Sequence, residues 1–134
     1  MILNAPVAAV VGGLVALLLW PATLAAQSVE DFYKQKKQLT LIVGNGANTS
    51  YDVWARLVAR HMGGHIPGGP SILVKNMPGA SGITAANHLY NIAPKDGATF
   101  GTFSRNIPSQ ALMGDGDRIK YDPRLFGWIG ATRA

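Results

Sequence analysis

Hydrophobic and polar positions divide the chain near residue 27. Before that point there is no charged side chain, and an apolar block extends over Val7–Trp20. Small residues follow as far as Ala25 and Ala26. An apolar block of this length before small residues predicts a secretory signal at residues 1–26, cleaved after one of these alanines. The run is short for a membrane span, which needs about 20 apolar residues; an uncleaved N-terminal anchor is the alternative. With either a cleaved signal or an uncleaved anchor, we expect the rest of the chain to be exported across a membrane.

After residue 27 the pattern changes to short aliphatic runs separated by clusters of Gly, Pro and Asn. Leu39–Val43 is a mostly apolar run that ends in a glycine, as expected of a strand buried on both faces. Ile72–Val74 predicts a second strand, residues 98–103 a third, and residues 126–129 a fourth. Strands that alternate with longer helical patterns in this way indicate an α/β fold with a doubly wound sheet.

Two helices are predicted between these strands. From Asp52 to residue 62 the apolar positions recur at helical spacing, and a pair of glycines follows. A second helix is predicted over residues 81–90. The large aromatic side chains near these elements are predicted to lie in the core; they are Trp54, Tyr90 and Phe100.

Small residues join the first strand to the first helix. They are Gly46, Ala47, Asn48, Thr49 and Ser50. Small side chains at this place let unpaired backbone amides approach an anion, which favours phosphate or carboxylate. The segment does not fit a dinucleotide-binding fingerprint, because Thr49 stands in place of the third glycine and Lys75, not an acid, ends the next strand. The alternative is a tight turn in which Ser50 or Asp52 caps the helix, and the two interpretations are compatible.

Two further loops follow the second and third strands. The second contains Gly79, Ala80 and Ser81, and the third contains Ser104 and Arg105. Because the carboxyl ends of parallel strands meet at one rim, where open α/β folds bind ligands, we expect these loops to lie together. Arg105 is suited to pair bidentately with a carboxylate, with full solvation as the alternative.

Other chemistry finds little support in the sequence. The absence of cysteine excludes a thiolate site. His61 and His65 have the spacing of zinc ligands, but the glycines between them would break the helix, so we expect no metal. No serine has the setting of a nucleophile, so nucleophilic catalysis finds no support, and we expect no cofactor. The net charge is +5, but the basic residues are mostly scattered singly, which argues against nucleic acid.

The order of several short motifs resembles one family, the extracytoplasmic solute receptors of tripartite tricarboxylate transporters, or Bug-type binding proteins. The motifs are Leu-Ile-Val-Gly at 41–44, Tyr-Asp-Val-Trp-Ala-Arg at 51–56, Asn-Met-Pro-Gly-Ala-Ser-Gly at 76–82, Ala-Pro-Lys-Asp-Gly-Ala-Thr at 93–99 and Tyr-Asp-Pro-Arg at 121–124. Each is weakly specific alone. Together, in this order and after an export signal, they are fairly specific.

The resemblance implies a type II periplasmic-binding-protein fold, a monomeric two-lobed Venus flytrap. It implies that a small organic anion, often a di- or tricarboxylate, is captured in the periplasm and passed to the permease subunits of a secondary transporter, without catalysis. The family's ligand positions map onto the loop ending at Asp52, the loop Gly79–Gly82 and the loop at Ser104.

The chain departs from the family in two ways. Asn48, Thr49 and Ser50 stand where the family has a run of glycines, and family members are more than twice as long. We therefore expect residues 27–134 to form the opening part of the first lobe, as a fragment. Two other hypotheses remain open: a small exported α/β enzyme that binds a phosphorylated substrate, and an N-terminally anchored envelope protein without a transport role.

Overall fold

The computed structural model describes residues 28–114 and 116–131, so the predicted signal at residues 1–26 lies outside the described residues. The elements alternate between helix and strand along the chain. They are α1 (Val29–Lys36), β1 (Gln38–Val43), α2 (Ser50–Met62), β2 (Ser71–Asn76), α3 (Ile83–Asn91), β3 (Thr99–Thr102) and α4 (Ile107–Met113), with short 3₁₀ turns at Gly63–His65, Ala80–Gly82, Gly116–Arg118 and Pro123–Leu125.

The three strands form one parallel sheet in the order β2-β1-β3. The chain steps from β1 to β2 at one edge and then crosses back over β1 to β3 at the other edge. This reversal is the connection of a doubly wound sheet, and it places a topological switch point between β1 and β3. The α/β prediction is confirmed, as are the first three predicted strands and the helix after the first strand.

The central strand is covered on both faces. Leu41 and Val43 pack against Ala55 of α2, while Ile42, which points to the opposite face, is only 3% exposed. On that opposite side, α3 contacts β1 and β3. A second apolar cluster includes Ile83 of α3 and the fully buried Ile107 of α4. The strand therefore separates two small cores, as its apolar sequence predicts.

Two helices have no counterpart in the prediction from sequence. Ser28 is the N-cap of α1, and its hydroxyl accepts from the Asp31 amide; within the helix an ion pair of 2.7 Å joins Glu30 to Lys34. Both are ordinary signals of a helix start and of a stable helix surface. α4 is a short helix that ends at Gly114, a residue in the left-handed conformation that favours glycine.

The predicted fourth strand at residues 126–129 is wrong, because this segment has no strand structure. Phe126 instead packs its ring against Tyr90 and Tyr121 in the second core. The indole N–H of Trp128 donates to the carbonyl of Pro123 over 2.9 Å, which folds the segment back on itself. Aromatic packing and a local turn therefore take the place of strand pairing.

Two smaller expectations also need correction. Trp54 is 50% exposed on the outer side of α2, whereas Tyr90 and Phe100 are partly buried against the cores as predicted. The second predicted helix begins at Ile83 rather than Ser81, because Ser81 has a φ of 55° inside a 3₁₀ turn. Within the described ranges, none of the helices combines the length and the apolar character that crossing a membrane requires.

Candidate functional site

Three loops converge at the carboxyl end of the sheet, as the sequence predicts. The first loop (residues 44–49) follows β1, the second loop (residues 77–82) follows β2, and the third loop (residues 103–106) follows β3. A Cβ built on Gly44 would lie 3.1 Å from Cα of Gly82 and 3.2 Å from the ring of Phe103. Hydrogen at this position therefore lets the three loops meet in one place.

The first loop leads into α2 through Thr49, which is the N-cap residue. Its hydroxyl accepts from the Asp52 amide at 3.4 Å and donates to the carbonyl of Gly46 at 2.8 Å. The interpretation that Ser50 or Asp52 caps the helix is wrong, because neither residue is the N-cap. Thr49 takes the role because it has extended backbone geometry, with φ −78° and ψ 163°, while Ser50 is already helical.

Unpaired backbone donors lie at the start of α2. The amides of Ser50 and Tyr51 have no acceptor among the described residues, as expected for the first turn of a helix. Ser50 is also exposed. The helix that follows has 13 residues, so its dipole favours negative charge at this end. The start of α2 thus offers backbone donors without a protein acceptor, beside the exposed Ser50, and such donors are suited to an anion.

The buried carboxylate of Asp52 holds the first loop in place through hydrogen bonds. Asp52 is 1% exposed, and its two oxygens accept from the Asn48 amide (2.9 Å), Nε of Arg56 (3.0 Å) and Nδ2 of Asn76 (2.8 Å). Asn76 also donates to the carbonyl of Asn45 over 3.1 Å. Both carboxylate oxygens are therefore engaged within the protein, and Asp52 positions the first loop relative to the end of β2.

The charge state of Asp52 follows from the same contacts. The Arg56 guanidinium, together with the amides of Asn76 and Asn48, lowers the pKa of this carboxyl from 3.8 to about 2, against the opposing effect of burial. Hydrogen bonds donated to a carboxylate favour its charged form. Asp52 is therefore a stable anion at neutral pH, and its negative charge is matched by the donors that surround it.

Sequence reasoning missed Arg56 and Asn76 as members of this network. Asp52 and Arg56 are four residues apart on α2, a spacing that brings side chains together on a helix, so the signal was present in the sequence. Asn76 gave no comparable signal, because its contact with Asp52 spans 24 positions along the chain. Only the parallel pairing of β1 and β2 brings it to the first loop.

The second loop has a different construction. Gly79, Ala80, Ser81 and Gly82 all have positive φ, at 146°, 45°, 55° and 98°. The first three are exposed and Gly82 is buried beside Ile107. Four successive residues in this region give the chain a sharp path over the end of β1, and the two non-glycine residues store local strain.

The third loop contributes two predicted positions of different character. Ser104 is half-buried, and its carbonyl accepts from the Ile107 amide at 3.1 Å. Arg105 is exposed, and no acceptor in residues 28–114 or 116–131 contacts its guanidinium. The structure therefore leaves Arg105 open to solvent at the switch point between β1 and β3.

The remaining predicted positions lie in the first loop. Gly46 and Thr49 are half-buried, whereas Ala47 and Asn48 are exposed. Asn48 has a φ of 62°, a conformation that asparagine tolerates better than most residues. Across the described part of the chain, no three His, Cys, Asp or Glu side chains form a group able to hold a metal ion.

The groups just described are suited to bind an anion. Backbone amides at the start of α2 would donate hydrogen bonds to it, and a hydroxyl and a guanidinium lie on neighbouring loops. No family model, curated protein or solved structure matches this chain.

Proposed function

We propose that this protein is a periplasmic solute receptor that captures a small organic anion, a di- or tricarboxylate or a related carboxylate. It passes this ligand to the permease subunits of a tripartite tricarboxylate-type transporter. The chain supplies part of the first lobe of a type II, Venus-flytrap binding protein. It takes part in binding and not in catalysis.

One observation carries this proposal: the exposed first loop with unpaired amides at the start of α2. Ser50 and Tyr51 present adjacent N–H groups that no described acceptor uses. A carboxylate has two oxygens that accept hydrogen bonds from such a pair, and the helix dipole adds to the attraction. The small side chains around these amides leave room for a ligand to approach.

The position of the loop within the sheet supports the same function. Ligands of doubly wound sheets bind outside the carboxyl ends of the strands, where the strand order reverses. Here that place lies between the first loop and the third loop, which carries Ser104 and the exposed Arg105. An arginine at this rim suits a second carboxylate of the same ligand, because its guanidinium pairs bidentately with carboxylate oxygens.

The type II architecture is supported by the strand order and by the resemblance in sequence. The order β2-β1-β3 with parallel pairing is compatible with the first lobe of such a receptor. The quoted motifs also fall at structurally defined places: residues 41–44 end β1, residues 51–56 begin α2, and residues 76–82 form the second loop. In a receptor of this class, the three loops together would line one wall of the ligand cleft.

The direct test is calorimetric titration of the full chain with citrate, succinate, glutarate, benzoate and inorganic phosphate. We expect saturable binding of at least one di- or tricarboxylate and weaker binding of phosphate. Preferential binding of phosphate would support the hypothesis of an enzyme for phosphorylated substrates. An absence of carboxylate binding by a folded chain would contradict the proposal.

A matched pair of variants locates the binding. Asn48→Asp and Gln38→Glu each replace an exposed amide with a carboxylate of nearly the same size; Asn48 lies in the first loop, beyond the carboxyl end of β1, and Gln38 is the first residue of β1. The ends of a six-residue strand are about 20 Å apart. We expect Asn48→Asp to weaken carboxylate binding about tenfold by charge repulsion. Gln38→Glu should leave it unchanged, and equal effects would place the ligand elsewhere.

A further inference from the structure

The outer edge of β2 carries unpaired backbone groups. In the described part of the chain, β2 pairs with β1 alone. The amides of Ser71 and Met77 donate towards β1, to the carbonyls of Lys37 and Val43. Because backbone groups alternate in direction along a parallel strand, those of Ile72, Val74 and Asn76 face away from the sheet. These groups are a template for another strand.

A shallow groove of about 400 Å³, largely open to solvent, lies beside this edge between β2 and α2. Its floor is apolar, since Ala59, Ile72 and Val74 pack onto the core below. Its rim is cationic. The lining residues are Arg56, Ala59, Arg60, Ile72, Leu73 and Val74. An extended chain laid along β2 would place alternate side chains into this groove.

The charged side chains that line the groove or belong to β2 are all cations. Arg60 on the groove side and Lys75 on the opposite face are both exposed, and neither has an acidic partner among the described residues. Arg56 forms an ion pair with Asp52, but the Arg56 side chain is still 51% exposed. No aspartate or glutamate lines the groove. Each face of β2 therefore offers a cation next to an apolar side chain, Ile72 or Val74 on one face and Leu73 on the other.

We propose that the edge of β2 is a docking surface for an acidic, extended segment of a partner protein. The segment pairs with β2 as an added strand. On each of its faces, one apolar side chain contacts β2 and one carboxylate contacts a cation, Arg60 on one face and Lys75 on the other. Main-chain hydrogen bonds to β2 provide affinity for the segment, and the charges of Arg60 and Lys75 provide specificity for an acidic one.

The charge pattern decides against two other occupants. A second copy of the chain, paired edge to edge, would bring the same unpaired cations, Arg60 and Lys75, to the interface and no free carboxylate of the groove or of β2 to pair with them, which is unfavourable. The first 27 residues of this chain contain no aspartate or glutamate, so they cannot supply the complementary charge. An acidic segment of another protein matches both the backbone and the charge of the edge.

The probe is a fluorescein-labelled, end-capped peptide of sequence Val-Glu-Glu-Val-Val-Glu, titrated with the full chain and followed by fluorescence anisotropy. This peptide places an apolar and an acidic side chain on each face of a strand. We expect saturable binding. Arg60→Glu and Lys75→Glu should each weaken it about fivefold, while Lys120→Glu, the same charge change at an exposed site on the α3 side, should have no effect.

Two N-methylated versions of the peptide separate strand pairing from charge attraction. Each carries methyl groups on alternate amides, so that only one version blocks the edge that pairs with β2. We expect that one version to lose binding and the other to retain it. Equal binding of both, or equal binding of a peptide with lysine in place of glutamate, would overturn the proposal. Self-association that Arg60→Glu strengthens would assign the edge to a second copy and would also overturn it.

Discussion

The first and second loops lie side by side at the same rim but are held in opposite ways. The first loop is fixed by side chains: Asp52, Thr49 and Asn76 hold its backbone through hydrogen bonds. In the second loop the backbone itself makes the turn, with four successive positive φ values between Gly79 and Gly82. The helix after it begins without a side-chain cap.

This difference shows which loop is suited to present a ligand site. Side-chain hydrogen bonds hold the first loop while the amides of Ser50 and Tyr51 have no acceptor among the described residues. In the second loop the conformational freedom of glycine is used for close packing, since Gly82 is buried between Gly44 and Ile107. The second loop therefore serves as a wall that the first loop packs against.

The largest expected effect concerns the brace of the first loop. Asp52→Asn replaces one of the two acceptor oxygens with an NH₂ donor, so that either Asn76 or the Asn48 amide and Arg56 lose their acceptor, and it removes the anion beside Arg56. We therefore expect a greater loss of stability than for any change below. Wild-type stability should also fall as the pH drops from 4 to 2, because the carboxylate must be protonated.

Urea unfolding across this pH range measures both effects. Asp122 also has a pKa lowered to about 2, by its Arg124 partner, so Asp122→Asn is the matched control. Asp52→Asn should flatten the acid dependence and lower stability at pH 7, whereas Asp122→Asn should affect stability at pH 7 little, since Arg124 is 84% exposed. Equal losses at pH 7 would show that Asp52 does not brace the loop.

A change in the second loop should have the next largest effect. Gly79→Ala places a Cβ 2.5 Å from Oγ1 of Thr84 at a φ of 146°, so we expect a loss of about 2 kcal/mol in the free energy of unfolding. Gly69→Ala, at φ 58° with open space around it, isolates the backbone cost and should lose about 1 kcal/mol. Urea denaturation of both variants measures the difference, and equal losses would contradict the close packing of this loop.

Removal of the cap should have a moderate effect. Thr49→Ala eliminates the hydroxyl that joins Gly46 to the Asp52 amide, and we expect a loss of about 1 kcal/mol in the free energy of unfolding. Thr49→Ser retains the hydroxyl and should restore most of the loss. Ser50→Ala should change little by the same denaturation measurement, and a larger loss there would show that Ser50 is the cap.

The smallest expected effect has opposite signs in the two loops. Ala80→Gly relieves strain at φ 45° and should raise the free energy of unfolding by about 0.5 kcal/mol. Ala47→Gly, in the first loop and outside the left-handed region, only adds freedom to the unfolded chain and should lower it by about 0.5 kcal/mol. Paired thermal melts measure the two changes, and the same sign for both would contradict the contrast between the loops.

The sequence predicted the parts of the fold that depend on local pattern. The apolar run of β1, the periodicity of α2 and the glycine-rich loops at one rim were all recognisable. α1 has only three apolar residues, Val29, Phe32 and Tyr33, which is too short a series for a helical period to stand out. Its cap at Ser28 and its Glu30–Lys34 pair are the signals that indicate it. The false fourth strand had a suitable pattern, but Phe126 finds more favourable packing in the aromatic core than in a strand.

The position of the candidate site could be predicted from the sequence, but the hydrogen bonds that hold it could not. Small residues between a strand and a helix indicated exposed amides. The contact of Asn76 with Asp52 depends on the register of two strands, which no local pattern contains. The exposure of Trp54 likewise depends on which side of α2 meets the sheet.

The most direct test of the central claim is a ¹H–¹⁵N correlation titration of the full chain with citrate. If the first loop is the ligand site, the amide signals of Ser50 and Tyr51 shift saturably, and they do so in Gln38→Glu but only weakly in Asn48→Asp. If these amides stay unchanged while the signals of other residues move, or if no signal saturates, the account of the first loop as a carboxylate site is wrong.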